Sequence, residues 1–171
     1  MARTLLVLNG PNLDLLGLRE PDVYGTATLA DLTAELDAHA ASRGIELHHV
    51  QSNHEGDLIE ALHDARGTVD GVVLNAGGLT HCSVALRDAI AGIDVPVIET
   101  HISNVSAREE IRHRSVIAAA CLGVISGFGS ASYRLAIEAL IGHLDEHDDG
   151  SGGGASRHPD AENGGCGSVR G

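Results

Sequence analysis

Short apolar, β-rich runs alternate with longer segments of helical period along most of this chain, and that alternation limits its fold more than any other feature. The runs are Leu5 to Leu8, Gly71 to Leu74, Val95 to Ile98 and Leu122 to Ile125. Ile45 to Val50 makes a fifth, only half apolar and so suited to a sheet edge. Each ends in a polar or glycine-rich turn: Asn9-Gly10, Ser52-Asn53-His54, Asn75-Ala76-Gly77-Gly78, Glu99-Thr100-His101 and Ser126-Gly127. Between them Leu29, Leu32 and Leu36, then Leu58, Ile59 and Leu62, recur at helical spacing. Thr28 is placed to cap the first helix, and Ser130 or Ser132 the last, which should run to about Leu144. Strands alternating with helices imply an α/β fold with a parallel sheet covered on both faces.

At this length a flavodoxin-like strand order is favoured, giving a three-layer αβα sandwich on a five-stranded parallel sheet. In such sheets ligands bind outside the carboxyl ends of the strands, where the polar turns fall. Two segments break the alternation. Residues 11 to 25 form a long connection, the kind used as a lid or binding loop. Residues 145 to 171 are acidic and glycine-rich with almost no apolar content, so a disordered tail is expected after a single catalytic domain over 1–144.

Composition removes several kinds of function. The 171 residues contain no lysine: all 11 Lys-or-Arg positions are arginine. Lysine Schiff-base chemistry, pyridoxal phosphate catalysis and a P-loop are therefore excluded for this chain. The formal charge is −13, and the tail holds six acids and two arginines, or −4 of it. The body is acidic too, which disfavours a nucleic-acid partner and leaves an anionic substrate to local arginines. Cys82, Cys121 and Cys166 have no CxxC spacing, which suits thiols in a reducing compartment better than a disulfide framework. The opening MARTLLVLNG turns polar too soon for a signal peptide, and there is no apolar run of membrane-span length, so a soluble, cytoplasmic protein is expected. With 11 histidines but no HExxH or spaced Cys/His set, neither a metal nor another cofactor is expected.

Four patterns bear chemistry. Asn12, Arg19 and Tyr24 share the long connection. A phenol, ordinarily titrating near about 10, becomes a base when guanidinium groups stabilise its anion; alternatively, Tyr24 simply packs its ring inward to anchor a surface loop. Glu99 and His101, two apart on a strand, share a face. A carboxylate fixes an imidazole's tautomer and suits it to general-acid work, or the pair is only structural. The amides of Ile102 and Ser103 that follow are candidates for holding a carboxylate. In NAGGLTHCS, residues 75 to 83, two glycines let backbone approach a ligand beside Asn75. His81 and Cys82 fall at the start of the third helix, and Cys82 reads better as a small packed residue than as a nucleophile. Arg108 and Arg112, four apart, would share one face of a helix, either gripping a carboxylate or facing solvent.

Five segments in order, LNGPNLDLLGLREPDVYG, HHVQSNHEGDLIEALHDA, LNAGGLTHCSVALRDAI, IETHISNVSAREEIRHRS and GVISGFGSASYRLAIEAL, resemble type II 3-dehydroquinate dehydratase over about Leu5 to Leu144. The resemblance implies a cytoplasmic lyase of flavodoxin-like fold, working without a cofactor, in aromatic amino acid biosynthesis (the shikimate pathway) or quinate breakdown. It also implies a homo-oligomer, a dodecamer built from trimers. It makes Tyr24 the base that removes a C2 proton to give an enolate, with Arg19 and Arg108 steadying the charge and Asn12 holding a water. His101, oriented by Glu99, would protonate the departing C1 hydroxyl. Asn75, His81, Ile102, Ser103 and Arg112 would bind the small anionic substrate, and Asp88 would reach the site from a neighbouring subunit.

The chain departs from the family's usual NPGA turn at Asn75-Ala76-Gly77-Gly78-Leu79, and has Leu18, Thr100, Ser106 and Val116 where Thr, Val, His and an aromatic are usual. An alanine in place of proline could loosen the turn that positions Asn75. Two other readings therefore stand beside the dehydratase: the same chemistry on an aminated dehydroquinate, and a flavodoxin-like binding module without catalysis.

Overall fold

The computed structural model describes residues 3–18 and 26–150. Five strands, β1 (Arg3–Asn9), β2 (Ile45–Gln51), β3 (Gly71–Asn75), β4 (Val97–His101) and β5 (Gly123–Ser126), form one parallel sheet in the order β2-β1-β3-β4-β5. This is the expected flavodoxin-like order, with half-apolar β2 at an edge. The α-helices are α1 (Leu29–Ser42), α2 (Glu55–Ala65), α3 (Val84–Ala91) and α4 (Ala131–Gly150).

Alternation along the strands divides the apolar interior in two. Leu5, Val7, Val73 and Ile98 face α1 and α4, where Leu32, Leu36, Ile137 and Leu140 are buried. Leu6, Leu8, Val72, Leu74 and Val97 face α2 and α3, meeting Leu58, Leu62, Leu86 and Ile90. Each fully buried Leu or Ile contributes roughly 1.5–3 kcal/mol, so a chain almost without aromatics still holds a two-sided core.

Thr28 caps α1 as expected: its hydroxyl accepts from the Asp31 amide while the Asp31 carboxylate accepts from the Thr28 amide. That hydrogen-bonding holds the Asp31 carboxyl below its usual range. The last helix differs from expectation, continuing six residues past Leu144 to Gly150. Arg3 on β1 meets this added length, reaching Asp145 at 2.5 Å and Asp148 at 2.6 Å. Those acids, three apart, lie on one helix face, so residues read as the start of a solvated tail anchor the helix to the sheet. Strand β4 likewise runs past Ile98 through the polar Glu99, Thr100 and His101, all buried. Among the described residues, no helix is long and apolar enough to cross a membrane.

Candidate active site

A cleft opens at the carboxyl ends of β1, β3 and β4. Asn12, Asn75, His81, His101, Ile102, Ser103, Arg108 and Arg112 all line it, joined by Pro11, Leu13, Leu16, Gly77, Gly78 and Val105. Eight expected site residues, drawn from four separate stretches of chain, thus converge in one place. Arg19 and Tyr24 lie outside the described residues. Asp88 is not at the cleft: it stands exposed on α3, 3.9 Å from Arg87.

The Glu99–His101 pair forms because both side chains leave the same face of β4. Nε2 of His101 lies 2.6 Å from Oε1 of Glu99, and Oε2 of Glu99 accepts from the Ser115 hydroxyl at 2.8 Å. A carboxylate 1% exposed needs such partners to be tolerated in the interior. Cys121 packs beside it; burial first, then the Glu99 charge, pushes that thiol up to about 12. Cys82 is exposed rather than packed, its thiol donating to the Gly78 carbonyl. It follows a 3₁₀ turn over Gly77–His81, so His81 and Cys82 precede α3, whose cap is Ser83.

The cleft floor is two backbones in contact. A Cβ on Gly10 would sit 2.6 Å from the Ala76 carbonyl oxygen, and one on Gly77, at φ +57, would sit 2.9 Å from that of Pro11. Only glycine permits this approach. The turn after β3 stays closed without a proline. The Gly10 amide donates to the Asn75 carbonyl, the Gly77 amide to Oδ1 of Asn75, and the Leu79 amide to the Ala76 carbonyl. Ala76 is fully buried at φ −74, an angle that proline also takes.

Arg108 and Arg112 share the cleft but not a helix. Two 3₁₀ turns, Val105–Ala107 and Glu110–Arg112, flank an extended Arg108 and Glu109. The Arg112 amide donates to the Glu109 carbonyl at 2.8 Å and not to that of Arg108, which accepts from His113 Nε2, also at 2.8 Å. Glu109 lies between the guanidiniums, its Oε2 3.4 Å from Arg108 Nε and 3.1 Å from Arg112 Nε. His81 Nδ1 donates to the Arg114 carbonyl, which leaves Nε2 as its acceptor nitrogen.

Asn12 adopts a left-handed conformation, φ 67, which asparagine tolerates better than most residues. Its amide donates to Oδ1 of Asn53 at 2.7 Å, so the turn after β2 sets the turn after β1. Sequence reasoning passed over Asn53, Ser115 and Tyr133. Asn53 fell in a turn noted only as polar, and Ser115 closed a stretch read for its arginines. Tyr133 sits in a helix read only for its length, yet its hydroxyl donates to Asn9 Oδ1 and accepts from Asn75 Nδ2.

The model of the dehydroquinase class II family matches residues 3–141. A 3-dehydroquinate dehydratase of Exiguobacterium sp. is 62% identical over 139 residues, covering 81% of this chain and 94% of its own. Another, of Gloeobacter violaceus, is 60% identical over 136 residues, covering 80% and 85% respectively. The crystal structure of the type II dehydroquinase from Butyrivibrio crossotus superposes with TM-score 0.80 at 43% identity, over 81% of this chain and 97% of that one. With the strand order and the cleft in agreement with a family match over residues 3–141, the chain belongs to the class II dehydroquinases.

Proposed function

We propose that this chain dehydrates 3-dehydroquinate to 3-dehydroshikimate through an enolate, with Tyr24 as base and His101 as general acid. The observation that carries the reading is the convergence, in a class II dehydroquinase, of the buried Glu99–His101 pair with Asn12, Asn75, Arg108 and Arg112 around one cleft. The Tyr24 phenolate takes the C2 proton, and the C3 carbonyl oxygen becomes the enolate oxygen. Arg19 and Arg108 favour both anions, while Asn12 holds a water against the enolate. Collapse of the enolate forms the C1–C2 double bond and expels the C1 hydroxyl, which leaves as water with a proton from His101. Because Nε2 is engaged by Glu99, Nδ1 is the nitrogen that donates.

Asn75, His81, Ile102, Ser103 and Arg112 bind the substrate's carboxylate and hydroxyls. Asp88, exposed and away from the cleft of its own chain, serves a neighbouring copy's site in a dodecamer of trimers. A cytoplasmic location fits the free thiols of Cys82 and Cys121. The aminated substrate loses its motivation, because the turn at Ala76 is closed by hydrogen bonds. Family membership weighs against the binding module.

The test is ultraviolet absorbance of purified protein with 3-dehydroquinate. A steady rise from the conjugated product is expected; no rise contradicts the reading, and faster turnover of an aminated analogue would revive the alternative.

A further inference from the structure

Only two tyrosines occur in the sequence, and the one within the described residues has no part in the proposed chemistry. Tyr133, near the start of α4, is 0% exposed and among the largest fully buried side chains. A phenol so placed must find hydrogen-bond partners, and those it finds are informative. Asn9 and Asn75 are register partners at the last positions of β1 and β3. Two residues beyond Val7 and Val73, they turn their side chains to the same sheet face, the one that α4 covers. Tyr133 spans the two amides, donating to Asn9 Oδ1 at 2.6 Å and accepting from Asn75 Nδ2 at 2.8 Å.

The direction of those bonds matters. Burial pushes the Tyr133 phenol above its ordinary range, so it keeps its proton. Asn9 Oδ1 can only accept, so the phenol's one hydrogen is committed there, and toward Asn75 it can only accept. Nδ2 of Asn75 must therefore turn toward Tyr133, and Oδ1 toward the Gly77 amide at 3.2 Å. A flipped amide would set oxygen against a phenol oxygen without a hydrogen to give, and nitrogen against an N–H. One Nδ2 hydrogen and one Oδ1 lone pair remain for the cleft that Asn75 lines.

We infer that Tyr133 is a positioning residue for substrate binding: bridging Asn9 and Asn75 beneath the cleft, it fixes which way the Asn75 amide faces the substrate. The inference rests on the proposed role of Asn75 in holding 3-dehydroquinate.

Steady-state kinetics of the full chain, Tyr133→Phe, Asn75→Ala and the double variant test it. Phenylalanine keeps the ring and removes the bridge. KM is expected to rise about tenfold with kcat within about threefold, the signature of lost uniform binding. Added to Asn75→Ala, the same change should raise KM by less than about twofold, since its effect runs through Asn75. An unchanged KM in Tyr133→Phe, even with a lower Tm, overturns the inference, as does a full further rise on Asn75→Ala; the functional reading then stands. If the wild-type chain forms no product, that reading fails and takes the inference with it. Should circular dichroism show Tyr133→Phe unfolded, Asn9→Ala replaces it. Freeing the phenol's hydrogen to let the Asn75 amide turn should also raise KM, and an unchanged KM counts equally against the inference.

Discussion

Oε1 of Glu99 lies 2.6 Å from Nε2 of His101, and the other carboxylate oxygen is held by Ser115, so the imidazole is oriented by a side chain that is itself oriented. Both members of the pair are buried, His101 at 7% and Glu99 at 1% side-chain exposure. In such surroundings the pair acts as a unit. Glu99→Gln should therefore lower kcat by about 10²–10³-fold, the usual worth of a positioned acid or base. Ser115→Ala, which leaves the charge in place but loosens it, should lower kcat by only about three- to tenfold. Equal kcat in wild type and Glu99→Gln would show that the pair is structural alone.

Gly77 holds φ +57, and a Cβ there would press 2.9 Å from the Pro11 carbonyl oxygen. Gly77→Ala should cost about 1–3 kcal/mol of stability, read as a lower Tm, and should raise KM because Pro11 and Asn75 both line the cleft. Gly78, where a Cβ meets nothing within 4 Å, provides the control: Gly78→Ala should leave Tm nearly unchanged.

Cys121 and Cys82 should differ sharply in reactivity. With its pKa pushed up to about 12 by burial and by the Glu99 charge, the Cys121 thiol is ionised in only about one molecule in ten thousand at pH 8. Cys82 is exposed. Iodoacetamide on the native protein, followed by peptide mass spectrometry, should alkylate Cys82 and leave Cys121 until the chain is unfolded. Equal labelling of both in the native state would contradict the burial argument.

Because the chain has no lysine, no imine can form with the substrate through a side-chain amine. Borohydride added with 3-dehydroquinate should leave enzyme activity intact after dialysis. EDTA should also be without effect, and loss of activity restored by added metal would show that the proposed chemistry lacks a component.

The strands, the layers and the position of the cleft are legible because β periodicity, helical periodicity and polar strand ends are all local signals, whereas the strand order rests on chain length and the family resemblance. Glu99 and His101 were legible for the same reason, being two apart on one strand. Their partner Ser115 was not, because a contact across 16 residues of irregular chain leaves no periodic trace. The bridge from Tyr133 to Asn9 spans 124 residues and exists only once α4 packs on the sheet. Arg108 and Arg112 line one cleft but share no helix face, because Arg108 and Glu109 are extended, a backbone feature that spacing alone does not reveal. The acids at 145 and 148 looked like tail because their partner, Arg3, stands at the opposite end of the chain.

In the proposed reaction one group removes the carbon-bound proton and another delivers the proton to the leaving hydroxyl. His101→Ala in deuterium oxide separates the two steps, with recovered 3-dehydroquinate examined by mass spectrometry and product by absorbance. Product formation should fall by at least about 10²-fold, while deuterium still enters C2 at a rate above the enzyme-free control, because Tyr24 and the arginines remain. Product formation within about threefold of wild type, or loss of C2 exchange together with product, would contradict the division of labour between Tyr24 and His101.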